Sequence, residues 1–137
     1  MIEIRALQPG DVAPIAAAFA ALGWNKPAAL YERYLDEAGL GIRAILVAFM
    51  DGVFAGYVTI LWRSSYAPFR ARNVPEIQDF NVLPRFRRKK LGTALMDAAE
   101  ARVAASTHAV GLGMALGGAA VRADDDLALF LVKPLKG

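Results

Sequence analysis

The chain has 137 residues, a formal net charge of +3, a 56% hydrophobic composition and no cysteine. Without cysteine there are no disulfides and no thiolate metal site, so a reducing, cytoplasmic setting is the default expectation. Residues 1–137 read as one domain with room for a real core, and no apolar run reaches the ~20 residues of a membrane span. The start, MIEIRAL, alternates apolar and polar residues and lacks the charged-then-apolar pattern of a signal peptide.

Ile2, Ile4 and Ala6 alternate with Glu3 and Arg5, which predicts a first strand ended by Pro9-Gly10. Asp11 is the expected N-cap of a helix carrying Ile15, Phe19 and Leu22, with Pro14 in its first turn. Asn25 is the expected cap of a second helix, with Ala28, Tyr31 and Leu35 along one stripe and Gly39 and Gly41 at its end. Arg43 to Met50 and Val53 to Trp62 then form a hairpin around Asp51-Gly52, a dipeptide suited to a turn that needs φ > 0 twice. Residues 63–75 read as a polar and aromatic loop, and Glu76 to Leu83 as a strand ended by Pro84. Leu91, Leu95 and Ala98, with Met96, Ala99 and Val103, make a helix stripe opposite Thr93, Asp97 and Glu100. Strands at Ala109–Leu116 and Leu127–Val132 finish a mixed α/β order, β-α-α-β-β-β-α-β-β, with a mainly antiparallel sheet flanked by helices.

Five cations occupy the six positions Arg85 to Lys90 and run directly into that third helix. A helix N-terminus offers unpartnered amides and about half a positive charge, so it attracts anions and disfavours cations. Arg87, Arg88, Lys89 and Lys90 therefore oppose the local field unless a phosphate sits there, and Gly92 lets a bulky anion approach the backbone. The alternative is a solvated basic loop. A nucleic-acid-binding domain is disfavoured, because the cations are gathered in one loop instead of spread along a face.

The stretch EIQDFNVLPRFRRKKLGTAL, residues 76–95, resembles the central motif of the GNAT acyl-CoA N-acyltransferases. That motif is a strand followed by Gln/Arg-x-x-Gly-x-Gly/Ala opening a helix. Arg87 fits its first position and Gly92 its last, while Lys90 stands where glycine is usual; the likeness extends over residues 2–116. The resemblance implies acetyl-CoA or another acyl-CoA as co-substrate, with its pyrophosphate on the amides of Arg88, Lys89, Lys90, Leu91, Gly92 and Thr93. It implies that the pantetheine arm pairs beside Phe80 and Val82, that the Val82 N–H steadies the thioester oxygen, and that a primary amine attacks directly. The acceptor would be a small molecule or a peptide, and a homodimer would be ordinary; neither a membrane nor a metal is expected.

Such a transfer needs a base for the ammonium proton. Glu76 is the first candidate, at a position where some members of the resembling family carry a glutamate, and a solvated strand-end carboxylate is the alternative. In a regular strand Glu76, Gln78, Phe80 and Val82 share one face, leaving Asp79, the second candidate, on the other. Trp24, Tyr31 and Tyr66 are weak acceptor-pocket candidates by the same resemblance, with core packing favoured for each.

His108 reads as a junction residue, and Asp124-Asp125-Asp126 as a turn or a rim for a cationic substrate, since adjacent side chains of an extended chain diverge. Gly111 to Gly118 superficially suggests a dinucleotide loop, but too little chain follows for a second βαβ unit. Between Leu116 and Val121 there is no room for the helix the family ordinarily has next, and no tyrosine follows Tyr66 to protonate the thiolate. Either solvent protonates it, or the domain is a catalytically silent acyl-CoA binder, or a segment between Leu116 and Ala119 is missing.

Overall fold

The computed structural model describes residues 1–105 and the backbone of two later strands, 109–115 and 128–134. Strand β1 (Ile2–Ala6) leads through a 3-10 turn at Pro9–Asp11 to helices α1 (Val12–Ala21) and α2 (Ala28–Gly39). Strands β2 (Arg43–Met50) and β3 (Val53–Leu61) form the hairpin, followed by a short helix α3 (Ala67–Ala71) and strand β4 (Glu76–Val82). A second 3-10 turn at Pro84–Phe86 leads into helix α4 (Leu91–Ala104), and strands β5 (Ala109–Ala115) and β6 (Ala128–Pro134) follow. The sheet runs β1-β2-β3-β4-β5-β6; the β4–β5 pair is parallel and the others antiparallel.

The order is the expected α/β one, with α3 added inside residues 63–75, where Pro68 in the first turn starts a helix too short to show periodicity. At the hairpin both turn residues take the left-handed conformation, Asp51 at φ 51° and Gly52 at φ 83°. Asp11 stands at the N-cap of α1 as expected, but its side chain does not cap the helix; it accepts from Arg5 at 2.7 and 2.9 Å and from the Gln8 amide at 2.8 Å. The start of the second helix is corrected. Asn25 lies ahead of α2, whose N-cap is Pro27. Leu22 falls past the end of α1, at its C-cap, and is exposed.

The core fills both sides of the sheet: every residue from Phe54 to Ile60 is buried. On one side Phe19 of α1 and Tyr31 of α2 pack against Tyr57, with Phe19–Tyr57 and Tyr31–Tyr57 ring centroids 5.9 and 5.5 Å apart. The other side takes the α4 stripe of Leu91, Leu95, Ala99 and Val103, all buried. Gly56 is required where β3 meets β4, since a Cβ there would stand 2.5 Å from the Asn81 carbonyl oxygen.

Candidate active site

The register from Tyr57–Asn81 to Thr59–Gln78 advances two residues on β3 and three on β4, so Asp79 and Phe80 together oppose Val58. This is a β-bulge, and Asp79 takes φ 50° within it, a conformation that aspartate tolerates better than most side chains. The bulge breaks the alternation that a regular strand would keep. Glu76 and Gln78 face α2, but so do Asp79 and Asn81, while Phe80 turns to α4, with its ring tip 3.5 Å from where a Gly92 Cβ would be. The expected division of faces is thereby corrected: both candidate carboxylates lie on one side, apart from Phe80.

Asp79 is the centre of a dense cluster. Its Oδ1 accepts from Lys26 Nζ at 2.7 Å and Asn81 Nδ2 at 2.8 Å, and its Oδ2 accepts from Tyr34 Oη at 2.6 Å and Tyr57 Oη at 2.7 Å. Burial pushes this carboxyl up, but the hydrogen bonds from Lys26, Tyr34 and Tyr57 and the Lys26 charge outweigh it and hold it below the usual range. Asp79 is thus a fully engaged anion, suited to holding a cation and poor as a proton acceptor.

Glu76 is also buried but is held differently. Ser64 Oγ donates to its Oε1, and Gln78 Nε2 donates to its Oε2 at 3.0 Å. Gln78 Oε1 in turn accepts from Arg43 Nη1 at 3.2 Å, and Arg43 Nε donates to Glu37 at 2.7 Å. Among the described residues, the hydrogen-bond partners of the Glu76 carboxylate are thus neutral donors, in contrast to the Lys26 ammonium on Asp79.

The parallel pairing of β4 with β5 comprises Glu76–Gly111 and Ile77–Leu112, so beyond Ile77 the two strands separate. Leu83 N–H donates to the Ala55 carbonyl at 2.8 Å, and by alternation the main-chain groups of Val82 point away from β3 into that opening. Arg87 Nε reaches back to the Val82 carbonyl at 3.2 Å. The loop that follows delivers Arg87, Arg88, Lys89 and Lys90, all exposed, to the first turn of α4, where Leu91, Gly92 and Thr93 present their amides. Lys90, in the usual glycine position, keeps the turn by adopting φ 64°, and Arg88 does the same at φ 63°. Each costs about 1 kcal/mol of backbone strain. Lys90→Gly should therefore raise stability by about 0.5–1 kcal/mol in denaturant melts; an unchanged or lower midpoint would contradict the strain.

Among the aromatic candidates, Tyr31 is fully buried, as core packing requires, and donates to Tyr57 Oη at 3.3 Å. Trp24 is half-buried and stacked on Phe19 at 5.4 Å, and Tyr66 is half-buried at the start of α3 with its ring 4.9 Å from Phe69. Tyr34, Tyr57, Lys26 and Asn81 belong to the cluster although the sequence singled out none of them. The polar residues Gln78, Asp79 and Asn81 crowded into one seven-residue strand were the available signal. Gly111–Ala115 is strand, not a dinucleotide loop; His108, Asp124-Asp125-Asp126 and the stretch from Leu116 to Val121 lie outside the described residues.

A strand opened along one edge, ending in a cationic loop at a helix N-terminus, is shared by an established family. The acetyltransferase (GNAT) family model matches residues 14–128. The chain belongs to the GNAT family. No curated protein matches it, but solved GNAT-type structures do. Ard1 of Thermoplasma volcanium is 20% identical over 99% of both chains, with a TM-score of 0.74. A putative acetyltransferase of Salmonella typhimurium, yncA, solved with its cofactor acetyl-CoA, is 18% identical over 100% of this chain and 95% of its own, with a TM-score of 0.72. The PaiA N-acetyltransferase of Thermoplasma acidophilum, in complex with coenzyme A, is 14% identical over 98% and 99%, with a TM-score of 0.71. Such distant likenesses establish the GNAT fold. No helix among the described residues is long and apolar enough to cross a membrane.

Proposed function

We propose that this single GNAT domain transfers an acetyl or other short acyl group from acyl-CoA to a primary amine by direct attack. The observation that carries the reading is the separation of β4 from β5 beyond Ile77, leading straight to the cationic start of α4. Extended pantetheine is chemically a strand partner, and the Val82 main chain faces the gap that it would fill. The diphosphate would meet the amides of Leu91, Gly92 and Thr93 and the charges of Arg87 to Lys90, which removes their mutual repulsion. Glu76 would take the ammonium proton, directly or through water, and the Val82 N–H would stabilise the oxyanion as nitrogen bonds to the carbonyl carbon and the thiolate leaves. Family membership supports acyl transfer from acyl-CoA, and two of the solved relatives hold coenzyme A or acetyl-CoA.

Calorimetry with acetyl-CoA tests the placement. Gly92→Glu should lower affinity at least ~10-fold by repelling the diphosphate, yet leave the fold intact, because an acidic residue in a first helical turn is itself stabilising by about 0.3–1 kcal/mol. Unaltered affinity would remove the diphosphate from this loop. A second reading, a silent acyl-CoA-binding module, is favoured by the absence of any tyrosine after Tyr66; binding without turnover across a panel of amines would select it.

A further inference from the structure

Lys26 occupies a site built for a primary ammonium. Its Nζ lies 2.7 Å from Asp79 Oδ1, 5.8 Å from the centre of the Tyr57 ring and 5.9 Å from that of Phe19. One carboxylate and two aromatic faces are the recognition set for an alkylammonium. Tyr34 and Asn81 hold the carboxylate in place from the other directions. The site stands on the bulge, in the segment of β4 that has left β5, which is where the proposed transfer would occur.

The main chain does not fix Lys26 against β4. Lys26 belongs to the connection between α1 and α2, whose main-chain hydrogen bonds run backward or within itself: Gly23 to Ala20, Trp24 to Phe19 and Lys26 to Trp24, each 3.0 Å. The Lys26 side chain ties this connection to β4 through Asp79, while Trp24 of the same connection stacks on Phe19 of α1. Gly23, at φ 73°, offers a point about which it can turn.

We propose that Lys26 is an internal stand-in for the acceptor: its ammonium fills the pocket that a linear primary alkylammonium enters once the α1–α2 connection swings away. This rests on the acyl-transfer reading and names its acceptor class, an unbranched alkylamine or a lysine side chain. It also makes the connection self-inhibiting, since acceptor and Lys26 compete for one carboxylate.

The test is binding without any acyl-CoA. Lys26→Met keeps the aliphatic stem and vacates the carboxylate. By calorimetry it should bind n-butylammonium chloride at least ~10-fold more tightly than the unaltered protein does, and n-butanol not at all. Adding Asp79→Asn should abolish the gain. Lys26→Gln, which keeps a neutral donor to Asp79, provides the same comparison if the methionine variant does not fold. Equal affinity for n-butylammonium in variant and unaltered protein would overturn the proposal, as would a gain that survives Asp79→Asn. An acetyl-lysine amide with a free side-chain amine, run in parallel, separates a peptide lysine from a free amine as the natural source. Ammonium binding with no subsequent turnover would count against acyl transfer alone and leave the pocket standing.

Discussion

Raising the pH beyond about 10 should unfold the protein over a narrow range, with Tyr31, Tyr34 and Tyr57 ionising together at the transition. Burial raises all three phenols far above their ordinary value of 10.0, and the Asp79 carboxylate beside them adds to the effect. The sign follows from proton linkage. The folded chain holds these protons more tightly than the unfolded chain, so the stability involved is fully present below pH ~10 and declines as the pH rises. Each phenol contributes about 1.4 kcal/mol per pH unit, or about 4 kcal/mol for the three, against a typical domain stability of 5–15 kcal/mol. Phenolate absorbance and far-ultraviolet circular dichroism should therefore change as one transition. A gradual phenolate signal from these three residues in a still-folded protein would show that the cluster is open to water.

Glu76→Gln should reduce kcat by about 10²–10⁴-fold with acyl-CoA affinity unchanged, the loss expected when a general base is removed. The substitution has a structural cost that must be measured beside it. A glutamine at 76 can keep its carbonyl oxygen on Gln78 Nε2, but its amide NH2 then faces Ser64 Oγ, which now donates to the carboxylate. That mismatch costs about 1–3 kcal/mol, so rates belong at a temperature where circular dichroism shows the variant folded. A kcat within about threefold of the unaltered protein would clear Glu76 of the role and leave Asp79 to be examined.

Much of the fold was legible because its signals are local. Asp51-Gly52 dictates its own turn geometry, and the Leu91–Leu95–Ala99–Val103 spacing needs no knowledge of the sheet. The arrangement proposed to bind the diphosphate was legible for the same reason, since strand, cations and helix start are contiguous in the chain. The cluster around Asp79 was not. It is assembled from Lys26, Tyr34, Tyr57 and Asp79, whose proximity depends on pairing between strands and on one inserted residue in β4. A period-two reading cannot foresee a bulge, so it placed Asp79 away from Glu76 and Phe80 beside it. Asp11 does stand at the N-cap of α1, but its side chain serves Arg5 and the Gln8 amide instead of the helix amides, which a local reading could not foresee.

The contact of Gly56 with Asn81 ties the width of the opening between β4 and β5 to a residue on the neighbouring strand β3. Any larger residue at 56 must shove the neighbouring strand sideways, carrying the Asn81 amide and its carboxylate partner toward the very space the two substrates would share. The aperture is thus calibrated from behind, by a hydrogen atom on the far side of the strand.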